Sequence, residues 1–584
     1  MLKSFRYLKP YIWSVILILI LVSIRAYFNL LIPKLIGYIL DDMLSQTLTE
    51  AQKISSIVTN AIWMFVSTVV GIGVIILSGY FESKTAAAYG KSLRDALYNK
   101  VQQFSMNEMD KFTTSSLITR TTNDIQSLQG SVAMLLRMAI MAPIMAVGSL
   151  IMAYTTSPEI STVLIFTILM VIGSLGTIFL VAMPKFKLIQ RLVDRMNLVT
   201  RENLSGLRVV RAFNTQNVQI EKSKKVAKDS MDRNIFVNRL FTAMWPTLGF
   251  IMQLTTVGMY FVAVYFGFIK PGSTLKPGDL STLVQYGTST VMSFMNITMI
   301  FIMIPRASIS ARRIMDVIDS DILIKNPTEP IELTDVKGEV KFDHVSFYYP
   351  GSEEPVLKNI NFTAKPGQVT AFIGSTGSGK STLINLVPRF YDPTEGVITV
   401  DGIDLKDVNQ NDYLQYIGYV PQKGNLFKGT IASNIGFGQE ELNMEVVEKA
   451  ARIAQASDFI SKFEHQYSSP ITQGGTNVSG GQRQRLSIAR AIAKEPKIYI
   501  FDDSFSALDY KTDQRLRKAL SDEIKDATVL IVAQRINTIR NADQIIVLDK
   551  GEVVGIGTHD DLLQSCSVYQ EIAESQLSKE ELGR

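Results

Sequence analysis

Six stretches of roughly 20 residues, each almost free of charged side chains, recur before Pro305, and nothing else in the chain restricts its fold so strongly. They run over Ile12–Ile36, Ala61–Phe81, Ser131–Tyr154, Ile160–Met183, Met244–Phe268 and Ser281–Ile304. A segment this long and apolar matches the thickness of a bilayer's hydrocarbon core, so each is predicted to be a membrane-spanning helix. Of the 584 residues, 47% are hydrophobic and only 19% charged, which is too apolar for a soluble enzyme of two domains. The first stretch continues past Arg25 into FNLLIPKLIGYIL without a small-residue cleavage site, so it reads as a retained span rather than a signal peptide.

Lysine and arginine are dense in Lys84–Arg120 and Lys185–Arg239, whereas Asp41–Asn60 holds a single lysine. That asymmetry places the amino terminus and both long loops on the cytosolic side. The opening MLKSFRYLKP is a basic, aromatic strip suited to the membrane interface. Both long loops are largely free of glycine and proline, so their helices are predicted to continue beyond the bilayer and turn in the cytosol, within reach of a cytosolic domain. The net charge of +5 gathers beside the apolar runs, where topology accounts for it better than a nucleic-acid partner. A lone cysteine, Cys566, excludes an internal disulfide and a cysteine-based zinc site, and fits a reducing cytosolic face.

Two methionine stripes stand out in the spans. Met134, Met138, Met141, Met145 and Met152 share one helical face, as do Met292, Met295, Met299 and Met303 with Asn296 between them. Thioether side chains adapt to ligands of many shapes and equally fill gaps between helices, so a substrate cavity and plain packing both remain open. The cavity candidates are Met138, Met141, Met292, Met295, Asn296, Met299 and Met303. Arg25 and Arg137 are costly in hydrocarbon and are predicted to face the bundle interior or a wet cavity, paired or snorkelling.

Beyond Arg312 and Arg313, the proline-containing, acid-rich IDSDILIKNPTEPIELTDVKGE reads as a linker, with a new domain starting near Val340. Its strongest signal is AFIGSTGSGKSTLINL, an apolar strand followed by Gly374-Ser375-Thr376-Gly377-Ser378-Gly379-Lys380-Ser381-Thr382 opening a helix. Glycines there let backbone N–H groups approach phosphates, Lys380 reaches the outer phosphates and Ser381 can ligate Mg2+. IYIFDD gives a second buried strand ending in Asp502, suited to the magnesium shell, and Asp503 stands where a general base or water-orienting carboxylate would act. NVSGGQRQRLSIARAIA exposes Ser479, Gly480 and Gly481 at the start of another helix, a second anion-seeking terminus. Two helix starts cannot serve one nucleotide from separate places, so a second copy of the domain, placed head to tail, is expected.

With these motifs the chain resembles a half-transporter of the ATP-binding cassette (ABC) exporter family over nearly its whole length. The resemblance implies an α-helical six-span transmembrane domain over 1–319 with two cytosolic coupling loops, a linker over 320–339, and an α/β P-loop nucleotide-binding domain over 340–584. It also implies ATP and Mg2+ as cofactors. By the same resemblance Tyr349 in FYYPG stacks on adenine, Gln422 in YVPQ links magnesium and the membrane half, Val478–Gln482 (VSGGQ, with Gln482) is the signature that meets a partner's nucleotide, and Asp509 ends the D-loop. Glu108–Leu128 and Arg201–Gln216 are similar to coupling segments, and Ser308–Asp319 to the stretch leading the last span into the cassette.

Two positions depart from the family pattern: Asp503 replaces its usual glutamate and Gln534 its switch histidine. A shorter carboxylate lies about one carbon–carbon bond further from attacking water, and an amide carries no titratable proton, so hydrolysis at this site is expected to be slow. The signature is intact. This asymmetry suggests a heterodimer in which the chain holds a degenerate site and completes a competent one on a non-identical half-transporter carrying Glu and His; a slow homodimer is the alternative. A multidrug-type exporter of hydrophobic or amphipathic compounds leads the functional readings, ahead of a lipid translocator and a gated channel or tethered regulator. A plasma-membrane location, in a bacterium, with the nucleotide-binding domain in the cytosol, completes the expectation.

Overall fold

The computed structural model describes residues 1–266 and 275–577. The last two residues of the fifth apolar stretch, Gly267 and Phe268, and the end of the expected nucleotide-binding domain lie outside the described residues. The chain divides into two compact units, Met1–Gln102 with Thr114–Ser320, and Gln103–Thr113 with the residues from Asp321 onward.

Among the described residues, the first unit contains six helices long and apolar enough to cross a membrane. After a short 3-10 helix, Leu2–Tyr11, the long helices are Ile12–Leu44, Glu50–Gln102, Ile125–Thr156, Pro158–Ser205, Gln216–Val264 and Pro277–Ile318. At 1.5 Å per residue, the 53-residue second helix extends about 80 Å, more than twice a hydrocarbon core. Ser157 alone separates the third and fourth long helices, its extended backbone and capping hydroxyl starting the fourth, with Pro158 at the first position. Hydroxyl pairs join helices where no water competes: Ser149 with Thr290 and Thr167 with Thr255, each at 2.8 Å. Helices Ile12–Leu44 and Pro277–Ile318 cross closely at Gly37 and Gly278, where a Cβ on Gly278 would collide with the Gly37 carbonyl oxygen. Asp41 accepts the Gly278 N–H at 2.7 Å at the same crossing.

Arg137 ion-pairs with Glu82 at 2.9 Å, and the carboxylate is buried while the guanidinium is half exposed. Of the two alternatives, paired or snorkelling, the structure shows a pair, with its acid one residue past the second apolar stretch. Arg25 Nε is buried without a hydrogen-bond partner among the described residues.

The second unit is built on a six-stranded sheet and a four-stranded antiparallel one. Its strands are β1 (Val340–Phe347), β2 (Leu357–Ala364), β3 (Val369–Gly374), β4 (Glu395–Val400), β5 (Ile403–Asp404), β6 (Ile417–Val420), β7 (Gly429–Thr430), β8 (Pro470–Ile471), β9 (Ile498–Asp502), β10 (Thr528–Val532), β11 (Gln544–Asp549) and β12 (Glu552–Gly557). The large sheet runs β12-β11-β3-β10-β9-β6, all parallel except β12, and the smaller one β2-β1-β4-β5. Strands β9 and β10 are buried at every residue, as their unbroken apolar runs require of strands covered on both faces. β7 pairs with β8 in a separate two-stranded ribbon.

The stretch read as a linker carries no helix or strand from Asp321 to Glu339, yet it is strapped down. Arg389 Nη2 donates to the Lys325 carbonyl at 3.3 Å, Ile331 N to the Asp407 carbonyl at 2.8 Å, and Asp401 accepts the N–H groups of Lys337, Gly338 and Glu339. The turn Gln103–Thr113 belongs to this unit: Tyr391 donates its hydroxyl to Asp110 at 3.3 Å, and Leu323 N donates to Glu108 at 3.1 Å.

Candidate functional site

Sheet order creates the site. Strands β3, β10, β9 and β6 lie side by side and parallel, so the loops leaving their carboxyl ends open on one edge, where ligands of open α/β sheets bind. β3 ends at Gly374 and the loop after it carries Ser375–Gly379, that after β9 Asp503, that after β6 Gln422 and that after β10 Gln534.

Gly379 sits at φ +98° as the cap of helix Lys380–Leu386, a conformation that favours glycine. Ser375, Thr376 and Gly377 are exposed at the loop's crest, and Ser378 is buried beneath. The Lys380 ammonium folds over the loop, donating to the carbonyls of Gly374 at 2.8 Å and Ser375 at 2.7 Å and to Ser378 Oγ at 3.3 Å. These bonds hold the ammonium against the loop's own carbonyls. Burial lowers the Lys380 pKa, and the Asp503 and Asp502 charges work against that fall. Ser381 donates its hydroxyl to Asp502 at 3.0 Å, so an oxygen pair of the kind Mg2+ takes lies beside the loop. Burial raises the Asp502 carboxyl above the ordinary range, opposed by the Ser381 bond.

Asp503 is buried, at φ +46°, and its Oδ2 accepts two amides, Gln534 Nε2 at 2.9 Å and Gln422 Nε2 at 3.2 Å. Burial raises its pKa, and the Gln422 bond is the largest opposing influence. Strands β6 and β10 flank β9 on either side, which is why glutamines 81 and 31 residues away meet one oxygen.

Tyr349 is half-buried, with its hydroxyl 3.1 Å from that of Thr382 and its ring edge-on to Tyr391. Ser479 and Gly480 are exposed at the start of helix Gly480–Ile492, and Ser479 and Gln482 close a reciprocal capping box, so their polar groups bond to each other. Gly481 and the buried Val478 flank them. Asp509 caps helix Tyr510–Glu523 through the Thr512 N–H at 3.0 Å. Of the cavity candidates, Met292 is exposed and Met138, Met141, Met295, Asn296, Met299 and Met303 are half-buried along their helices. Sequence reasoning missed Ser506, which donates to the Asp503 carbonyl at 2.8 Å, and Asn385, which accepts the Tyr419 hydroxyl at 3.0 Å. A serine in a turn and an asparagine in helix Lys380–Leu386 carry no pattern that would have marked them.

A protein-family model described as "ABC transporter transmembrane region" matches residues 15–302, and one described as "ABC transporter" matches residues 357–506. An ABC transporter ATP-binding protein of Mycobacterium tuberculosis is 35% identical over 578 residues, covering 98% of this chain and 97% of that protein. An ATP-dependent lipid A-core flippase of Syntrophus aciditrophicus is 33% identical over 531 residues, covering 86% and 84%. The solved structure of a bacterial Atm1-family ABC exporter with ATP bound superposes with a TM-score of 0.81 at 24% identity, covering 98% of this chain and 99% of that one, and so shares the fold.

Proposed function

The chain belongs to the ABC transporter family, as an exporter-type half-transporter joining a membrane region to its own ATPase domain, and from that premise we propose that its own nucleotide site is slow and that it completes a faster site on a non-identical second chain. The observation that carries this reading is the capture of Asp503 Oδ2 by the Gln422 and Gln534 amides. A general base needs a free lone pair within hydrogen-bond reach of water, and here two donors occupy one oxygen of a carboxylate already one methylene short of glutamate. Neither amide can relay a proton. The exposed Ser479 and Gly480 keep the signature open to a partner's nucleotide.

In this reading Tyr349 meets adenine, and the loop from Gly374 to Thr382 cradles the phosphates with Lys380. Ser381, Asp502 and Gln422 would hold Mg2+, which supplies charge neutralisation on the phosphates. Val478 to Gln482 and Asp509 face the partner. ATP favours the closed pair of cassettes by its greater affinity for that state, and closure turns a cytosol-facing cavity outward. The cargo is hydrophobic or amphipathic, taken up against Met292, Met295, Asn296, Met299 and Met303, with Met138 and Met141 opposite, from a plasma membrane whose cytosolic side holds the amino terminus and both ATPase domains. The likeness to a lipid A-core flippase favours a second reading, a lipid translocator. The test is magnesium-dependent ATPase of the purified chain in lipid nanodiscs. Alone it is expected to turn over weakly; vigorous turnover without a second chain sinks the unequal pair. Stimulation by one lipid class only, rather than by chemically varied amphiphiles, selects the lipid reading.

A further inference from the structure

The carboxyl end of the ATPase domain reaches back to the site through one side chain. Gln576, the last residue of helix Ser567–Gln576, donates Nε2–H to the Gln534 carbonyl at 2.8 Å and accepts the Ile536 N–H on Oε1 at 2.9 Å. The amide's orientation is set by its partners, because a carbonyl faces only the NH2 and an N–H faces only the oxygen. The two bonds grip backbone groups two residues apart, as a neighbouring β-strand would, just where β10 has ended and no strand is left to hold the chain. The helix that carries Gln576 is itself fixed: Tyr569 and Ala573 are fully buried, Leu577 is buried beyond them, and the Tyr569 hydroxyl lies 2.7 Å from His559 Nδ1. Gln534 in turn donates to Asp503. Helix Ser567–Gln576 is thus tied through the Gln576 side chain to the backbone of Gln534, whose own side chain bonds to the acid.

We infer that Gln576 is a positioning residue: it fixes the backbone of Gln534–Ile536 so that the Gln534 amide is presented to the outer phosphate of ATP. The inference deepens the proposed function of this site and takes the Gln534 amide, whose Nε2 carries a second N–H besides the one given to Asp503, as the donor to that phosphate. A purely structural helix would stabilise the domain without discriminating between nucleotides; an anchor for this segment acts only where an outer phosphate is present.

The experiment uses the full chain in lipid nanodiscs, as wild type, Gln576→Met, Gln576→Glu and Gln534→Ala, and reads the affinities for ATP and for ADP together with hydrogen exchange at the Ile536 amide. Gln576→Met keeps the length and apolar stem of the side chain, so the helix stays seated. It is expected to weaken ATP about tenfold, the scale of one hydrogen bond to a charged group, to leave ADP unchanged, and to speed exchange at Ile536. Gln576→Glu keeps the acceptor for Ile536 N–H and loses the donor to Gln534, so exchange stays slow while ATP still weakens. Unchanged exchange at Ile536 in Gln576→Met overturns the anchor, and equal loss of ATP and ADP affinity reduces Gln576 to a structural role and overturns the inference. The two failures are separable: unchanged ATP affinity in Gln534→Ala overturns the reading of Gln534, whatever exchange at Ile536 shows.

Discussion

At the scale of single residues, the proposed slow site turns on Asp503. Its Oδ2 is shared by two glutamine amides, and one of them, Gln534, stands where the family resemblance implies a histidine. Introducing the longer acid and a titratable ring together, Asp503→Glu with Gln534→His, is expected to raise hydrolysis at this pocket by about tenfold or more, less than the ~10²–10⁴-fold of a positioned general base because a shorter carboxylate is already in place. Single-turnover measurement with radiolabelled ATP checks it, and an unchanged rate would place the bottleneck elsewhere. The phosphate loop was legible from sequence because its geometry is local. Lys380 bonds to Gly374 and Ser375, six and five residues away, so a glycine spacing suffices to announce it. The capture of Asp503 was not legible in the same way. Both substitutions stood out one by one, but that Gln422 would join Gln534 on the same oxygen required strands β6, β9 and β10 to be neighbours.

At the scale of elements, the long helices follow from apolar runs, and their pairing follows from a few polar contacts that those runs conceal. Glu82 is fully buried against Arg137 across two helices. Replacing the arginine, Arg137→Met, leaves a buried carboxylate without its counter-charge and is expected to destabilise the protein by about 3 kcal/mol. The double variant Glu82→Gln with Arg137→Met is expected to recover much of that loss, because neither charge then remains buried alone. Thermal unfolding in detergent checks both, and an equal loss in the double variant would refute the pairing as the cause. Sequence marked Arg137 as paired or snorkelling and did not point to Glu82, since 55 residues separate them. The stretch read as a free linker shows the same limit. Its composition is that of a tether, yet Arg389 and Asp401 strap it to the ATPase domain by contacts 62 to 64 residues apart in the chain.

At the scale of the whole molecule, the proposed unequal pair assigns opposite weights to two parts of one ATPase domain. In the purified pair, Ser479→Ala, which alters the signature, is expected to lower steady-state ATPase about tenfold or more, as the loss of a donor to a transition-state charge does elsewhere. Asp503→Ala is expected to change that rate little. Equal effects of the two variants would show that both sites turn over alike. What the sequence determined by itself is the part written in neighbouring residues: six apolar helices of membrane length, a phosphate loop between a strand and a helix, an acid at the end of a buried strand. Tertiary structure alone decided which distant side chains share an atom. Adjacent parallel strands deliver their carboxyl ends to one edge whatever their order in the chain, so Gln422, Asp503 and Gln534 converge there, and Gln576 reaches the last of them from a helix that no local pattern connects to the site.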